Sequence, residues 1–530
     1  MNLESDLVGC SIPLALAKLV SSIACRIAEK HEGAIGAVKQ LKAALCTGRL
    51  IPGLTEGRRL LALMQEARLV DDKYLALEAE KVATIYQAIH LFWKQESPLE
   101  ESVIAEFYSA LNKRVATSGK PKLSETQKNA IRSELDKLGE IPYWERLTGA
   151  NGPGSVADGY KGIDRWWFTD RPCNVPSMFY RTSIDDWAAR PIRPVKYGFT
   201  KAVLVPKDVR GPRAISEEKL SFQHAQFAIE HWLNRRIHKI WSNNVSLHDQ
   251  RHHCRFLRDR QWVTVDLSDA SDYISRRLVY QVFPERMRRA FFECRSTFMS
   301  TPVGVAPLRT FAPMGSSLCF IVMTTVIIAT FRACGVTRPF SVYGDDIIVH
   351  YEDLPLVLDL LSAMGLRTND LKTTRFTSAM RESCGEDYIW DGETRVLATP
   401  VFIKASWEKL TAVSALRIAA KIEPLREIGF YNCGEYLYAV LEHQFPELFR
   451  FKIGWHKDYQ RVRYVYAQLR EQELPKDAVD GYPGYYRSYV VKSRTTKVDK
   501  IPHGRPAVGV KRTESFIPPT IYGCLGGSGS

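Results

Sequence analysis

The sequence Tyr343-Gly344-Asp345-Asp346 sets two carboxylates side by side, with Phe340 and Val342 before them and Ile347, Ile348 and Val349 after. Apolar runs on both sides of a Gly-Asp pair predict a β-hairpin, and Gly344 can supply the positive φ that its turn requires. Adjacent acids on so tight a turn repel each other unless a cation lies between them. The bland alternative is a solvated acidic turn, and a second acidic strand weighs against it. In Val263-Thr264-Val265-Asp266-Leu267, alternation puts Val263, Val265 and Leu267 on one face and Thr264 and Asp266 on the other. If that strand lies beside the hairpin, Asp266 meets Asp345 and Asp346. Carboxylates from separate strands are what two divalent ions about 4 Å apart need to activate a 3′-hydroxyl and stabilise a leaving pyrophosphate. Two Mg²⁺ ions suit such a site, being hard cations that take carboxylate and phosphate oxygens, with Mn²⁺ as a substitute. The reading requires Asp266 to fall within about a dozen ångströms of the acidic pair.

Three further stretches carry groups suited to a phosphorylated substrate. Lys201-Ala202-Val203-Leu204-Val205-Pro206-Lys207 and the following Arg213 put cations on a strand end and turn. Lys201, Lys207 and Arg213 could hold a triphosphate, although a solvated basic hairpin would look the same. Phe311-Ala312-Pro313-Met314-Gly315-Ser316-Ser317-Leu318 opens an apolar helix with Ser316 as its natural N-cap. The functional reading sets Ser316 or Ser317 near a ribose or a template backbone. Lys372, in Asn369-Asp370-Leu371-Lys372, could protonate a leaving pyrophosphate, against the commoner reading of a surface lysine.

The elements that must position these groups follow from the hydrophobic pattern. Residues 13–140 read as helical, with Leu16, Leu19, Ile23 and Ile27, then Leu60, Leu63, Ala67 and Val70, at helical spacing. Five glycines between Gly149 and Gly162 mark a loop. Strands are predicted over 195–215 and Trp262–Leu267, helices over 219–241 and Ser316–Phe331, and a hairpin over 339–351. At 530 residues the chain is too long for one ordinary core, and 45% hydrophobic residues mark it as globular. A net charge of +14 favours a polyanionic partner, most commonly nucleic acid. Eleven scattered cysteines without a C-x-x-C pair argue against a disulfide framework and for a reducing compartment. The acidic start lacks the basic beginning of a signal peptide, and Leu318–Phe331 is too short to span a bilayer, so no membrane partner is expected. His248, His252, His253 and Cys254 lack a second ligand pair and read as a polar loop rather than a zinc site. Tyr482, Tyr485, Tyr486, Arg487, Tyr489, Lys492, Arg494, Lys497 and Lys500 interleave rings and cations, which suits RNA stacking and partner docking equally.

Taken together, Val205-Pro206-Lys207 with Arg213, Val265-Asp266-Leu267-Ser268 through Ala270-Ser271-Asp272, Pro313-Met314-Gly315, Tyr343-Gly344-Asp345-Asp346 and Arg381-Glu382-Ser383-Cys384-Gly385 stand in the palm order of RNA-directed RNA polymerases. They resemble most closely the catalytic β subunit of the replicase of single-stranded RNA bacteriophages. The resemblance implies an α+β right-hand fold of fingers, palm and thumb with an antiparallel palm sheet. A helical N-terminal region (1–140) would pack on fingers and thumb. Fingers would span 141–260 with the basic segment, the palm 261–395, and the thumb with the basic aromatic C-terminal region 396–530. It implies Asp266, Asp345 and Asp346 as metal ligands, and Lys207 and Arg213 along the nucleotide's path. The ribose-sensing acid of many RNA polymerases lies five positions after the first ligand; Ser271 stands there, with Asp272 one further on. The implied partners are an RNA template and nascent strand, nucleoside triphosphates, host elongation factors Tu and Ts, and a ribosomal RNA-binding protein, in the cytoplasm of an infected bacterium. Two rivals remain. A reverse transcriptase also has a Tyr-x-Asp-Asp turn, but the small Ser268, Ala270 and Ser271 favour ribonucleotides. A non-catalytic RNA-binding or assembly protein would use the acids structurally.

Overall fold

The computed structural model describes residues 3–10, single positions between 14 and 24, 79–94, 101–152, 154–166, 168–175, 192–208, 211–247, 249, 253–369, 372–376, 378, 380–391, 394–403, 412–446 and four short strands after 484. Most of the expected helices over 13–94 fall outside these residues, as do His248 and His252. The C-terminal aromatic stretch is described only as short backbone pairings, such as Tyr485–Ser488 with Thr520–Gly523.

Twelve strands before residue 400 make four sheets among the described residues. Strands β1 (Asp170–Pro172) and β2 (Arg193–Val195) pair in parallel. Strands β3 (Gly198–Asp208) and β4 (Gly211–Glu218) form the basic hairpin, with a register shift between Val205 and Asp208. Strand β5 (Trp262–Asp266) carries the first acid. Strands β6 (Ser296–Thr301) and β7 (Gly304–Pro307) extend the basic hairpin into a four-stranded sheet of order β4-β3-β6-β7, in which β3 and β6 run parallel. One sheet therefore bridges the two sides of the boundary expected at residue 260. Strands β8 (Phe340–Tyr343) and β9 (Asp346–His350) form the acidic hairpin, and β5 joins it in an antiparallel sheet of order β5-β9-β8. Strands β10 (Met380–Ser383), β11 (Glu386–Asp391) and β12 (Thr394–Leu397) make an antiparallel meander. The mixture of helices and mainly antiparallel sheets is the α+β class expected.

The helix Ser317–Ala333 lies at the centre. Ile321, Val322, Val326, Ile327, Ile328 and Phe331 are all buried, so it is apolar all round, as a helix enclosed by other elements must be. Its threonines do not break this rule: Thr324, Thr325 and Thr330 return their hydroxyls to the carbonyls of Phe320, Ile321 and Val326 one turn back. Helices Glu125–Asp136 and Leu220–Trp241 pack against it, and one core runs from Leu123 to Leu366 through β5, β8 and β9. Fully burying one Leu, Ile or Phe stabilises by about 1.5–3 kcal/mol, so this helix anchors the region that carries the acids. A smaller cluster, with Tyr108, Leu111 and Val115 of the helix Glu101–Thr117 against Ala202, Met299 and Ala306, closes one face of the four-stranded sheet.

Candidate functional site

Strand register builds the acidic cluster. Asp266 is the direct antiparallel partner of Asp346, and Tyr343 pairs with Asp346 from the other side. Directly opposed residues have Cβ atoms about 4.5–5.5 Å apart, well inside the required dozen ångströms. Gly344 and Asp345 form the two-residue turn. Gly344 has φ +66°, the conformation a II′ hairpin asks of its first turn residue. A second constraint acts on the same residue: a Cβ there would land on the Phe320 ring. The amide of Gly344 donates to Thr324 Oγ1 at 3.0 Å, and the Tyr343 ring packs edge-on to Phe320 with centroids 4.8 Å apart. The central helix thus holds the turn from below, while Asp345 stands exposed at the tip.

The electrostatics are those of crowded carboxylates. Burial pushes the Asp346 carboxyl up to about 7; the charges of Asp345, Glu382 and Asp266 push in the same direction, and a hydrogen bond from Cys384 opposes them. Asp266 is also raised, first by burial and then by Glu382 and Asp345, with Lys372 opposing. Glu382 therefore faces both acids, and the sequence reading assigned it no role. Cys384 reaches Asp346 from the β10–β11 turn, where Cys384 takes φ +53° and Gly385 φ +79°. A left-handed non-glycine residue is a small local strain that the pairing of β10 with β11 maintains.

Lys372 stands at the cluster: its Nζ donates to Asp266 Oδ1 at 3.0 Å. Asn369 donates to Asp266 Oδ2 at 3.1 Å. Among the described residues no group of three or more Cys, His, Asp or Glu side chains is disposed to hold a metal ion by itself. That arrangement still fits Mg²⁺, which usually takes one or two carboxylates and completes its shell with water and substrate phosphates. The donor set is all oxygen, its charge is unbalanced, and its ionised form is disfavoured where it stands. Those are the properties a hard cation would relieve.

The other expected residues fall into distinct places. Lys201 and Arg213 are exposed on β3 and β4, and Lys207 is half-buried beyond the register shift. This basic hairpin is tied to the loop that opens the central helix. Ser216 N donates to Met314 O at 2.7 Å, and Gly315, at φ +114°, passes so close to Ser216 that no Cβ would fit. Ser316 is the N-cap: its Oγ accepts from Leu318 N at 3.3 Å and donates to Gln226 Oε1 at 2.8 Å. Ser317 is half-buried beside it and donates its amide to the same Gln226 oxygen. Ser271 is half-buried, and its carbonyl accepts from Thr310 Oγ1. Asp272 is buried, with its carboxylate on Arg114 Nε at 3.0 Å and its carbonyl taken by Ser118 Oγ. Burial raises the Asp272 carboxyl, and Arg114 counters that effect. His253 hydrogen-bonds Ser341 at 2.8 Å and Ser383 at 2.9 Å, so it joins β8 to β10 as a buried strut.

Sequence comparison meets this geometry at the same residues. Residues 178–429 match the family model described as RNA replicase, beta-chain, a span that includes the basic hairpin and every acid of the cluster. The RNA-directed RNA polymerase beta chain of Enterobacteria phage GA is 30% identical over 220 residues, covering 40% of this chain and 40% of that one. The RNA-directed RNA polymerase subunit beta of Qbeta virus (strain MX1) is 32% identical over 216 residues, covering 39% and 36%. The chain thus matches well under half the length of these curated relatives. The RNA-dependent RNA polymerase of a human picorbirnavirus shares 12% identity with a TM-score of 0.44, over 66% of this chain and 75% of that one, a likeness too loose to argue from. The motif order read from the sequence and the family match agree on the same central segment. No helix among the described residues is long and apolar enough to cross a membrane.

Proposed function

We propose that this chain, a relative of the RNA replicase beta chains over residues 178–429, is an RNA-directed RNA polymerase whose nucleotidyl transfer takes place at Asp266, Asp345 and Asp346. The observation that carries the proposal is the cross-strand pairing of Asp266 with Asp346 beside the Gly344-Asp345 turn. In a right-hand arrangement, the sheet β5-β9-β8 and the central helix are the palm, and the basic hairpin belongs to the fingers. Two Mg²⁺ ions, when bound, would lower the pKa of the attacking 3′-hydroxyl and offset charge on the leaving pyrophosphate. Asp266 and Asp345 would hold both ions and Asp346 would support the second. Lys207 and Arg213 would neutralise the triphosphate, and Lys372 would give a proton to the departing pyrophosphate. RNA template, nascent strand and nucleoside triphosphates are the substrates this chemistry demands. Elongation factors Tu and Ts and a ribosomal RNA-binding protein, in the host cytoplasm, belong to the same proposal through the family resemblance.

The test is Asp345→Asn. Asp345 is exposed at the turn, so the substitution leaves the fold intact. Primer extension on an RNA template should fall to background while RNA binding in a filter assay stays within about twofold of the parent. Undiminished extension by the variant would remove the carboxylate site. Offering deoxynucleotides beside ribonucleotides separates this reading from a reverse transcriptase.

A further inference from the structure

The segment after residue 366 is attached to β5 more firmly than a surface loop needs to be. Ser268 N donates to Arg367 O at 2.8 Å, Leu267 and Thr368 form a β-bridge, and Asn369 N donates to Asp266 O at 2.8 Å. Past the loop, Thr374 N donates to Thr264 O at 2.8 Å, and Thr264 N donates to Thr374 Oγ1 at 2.7 Å. Both ends are therefore pinned to β5 on the edge away from β9. Between them the chain turns back on itself, with the amides of Lys372 and Thr373 both donating to Asn369 O. This tight turn sets two side chains over one carboxylate: Lys372 on Asp266 Oδ1 and Asn369 on Oδ2. The pair is not sealed off, since Lys372 is 39% and Asp266 24% exposed.

We propose that this turn is a latch on the carboxylate. Lys372 occupies Asp266 Oδ1 in the place of a metal ion, so that a divalent cation and the lysine ammonium compete for that oxygen while Asn369 keeps Oδ2 in register. The inference rests on the cation reading of the acidic cluster given above and deepens it. Two consequences follow from the geometry. The cluster of Asp266, Asp345, Asp346 and Glu382 has part of its charge balanced by the protein itself. A cation arriving at Asp266 also frees Lys372, which remains tethered a few ångströms away by the pinned turn. The residue suited to meet the triphosphate is then released by the same event that prepares the carboxylates.

The test measures Mn²⁺ binding by loss of the free-ion paramagnetic resonance signal. It uses the whole purified chain at pH 8 without RNA or nucleotide, so the readout is independent of polymerisation. Lys372→Met keeps the length of the side chain and removes its charge; Lys372→Arg keeps the charge. The Met variant should bind Mn²⁺ about three- to fivefold more tightly than the parent, and the Arg variant should stay within about twofold, the scale of a partly exposed ion pair. Asp346→Asn should weaken binding. Equal affinity in the parent and Lys372→Met, with Asp346→Asn still weakened, overturns the latch and leaves the proposed function standing. If Asp346→Asn binds Mn²⁺ as the parent does, the cluster is not a cation site and the latch falls with it. Because Lys372 is partly exposed, Lys372→Met should lower the melting temperature by no more than a few degrees and keep one cooperative transition, which is the control for folding.

Discussion

The crowding at Asp346 predicts that removing its charge stabilises the folded chain. Its carboxyl moves from an ordinary 3.8 to about 7, with burial the leading cause and Asp345, Glu382 and Asp266 adding to it. A carboxyl whose pKa is raised by folding favours the native state at low pH, because the native state then binds the proton that the unfolded chain has lost. That advantage is complete below about pH 4 and disappears as pH rises through about 7. The shift corresponds to at most about 4 kcal/mol, and the partial exposure of Asp346 brings a realistic figure nearer about 2 kcal/mol. Asparagine keeps the shape and the acceptor for Cys384 but cannot ionise. Asp346→Asn should therefore raise the melting temperature at pH 8 by several degrees, at about 2–4 °C per kcal/mol for a cooperative unit of 150–250 residues. At pH 5 the gain should be smaller, since part of the native carboxyl is then protonated. Added Mg²⁺ should raise the melting temperature of the parent at pH 8 and raise that of the variant less. The measurement is thermal denaturation followed by tryptophan fluorescence at the two pH values. A variant that melts with the parent at pH 8, or gains equally at both pH values, would refute the account of the cluster as electrostatically strained.

Two further outcomes follow from the same geometry. Gly344→Ala meets both a positive φ and the Phe320 ring, so primer extension should drop at least about 100-fold, and a second substitution, Phe320→Leu, should restore part of it by opening space; full activity in the single variant would show that the turn is not held as described. Arg213 is exposed, so Arg213→Ala should leave the melting temperature unchanged while raising the KM for nucleotides about tenfold, measured by steady-state incorporation; an unchanged KM would separate the basic hairpin from the triphosphate.

Much of the site was legible because its signals are local. A Gly-Asp turn between apolar runs specifies a hairpin by itself, and alternation at Val263, Val265 and Leu267 specifies the strand that ends in Asp266. The central helix was readable from its unbroken apolar run and its serine cap. What could not be read was pairing between distant segments. Asn369 and Glu382 both stand in stretches singled out for other reasons, yet nothing in their spacing indicates that one meets Asp266 and the other faces two acids. Arg114 on Asp272 joins residues 158 positions apart, and Gln226 under Ser316 joins residues 90 apart. A side chain chosen for a partner so far away carries no periodic signal. The parallel pairing of β3 with β6, which carries one sheet across residue 260, was hidden for the same reason.

The central helix explains why an apolar element belongs to the site. Its first turn is capped by Ser316, whose hydroxyl reaches Gln226, and the loop just before it is bonded to β4 through Met314 and Ser216. Two turns on, Thr324 accepts the Gly344 amide, and Phe320 fills the space that a side chain at Gly344 would need. The rod and the loop that opens it therefore link the cationic hairpin to the acidic turn, and the helix spans most of the distance between them. Electrostatic catalysis depends on charges that do not have to reorganise when substrate arrives. Here the acids and the basic hairpin are preorganised from below by buried packing. The turn at 369–372 differs, since it acts on Asp266 through side chains that solvent can reach. Motion that changes the charge at the site is most readily accommodated there, because displacing Lys372 disturbs no buried packing, whereas moving Asp345 or Asp346 as a unit requires the core beneath them to move as well.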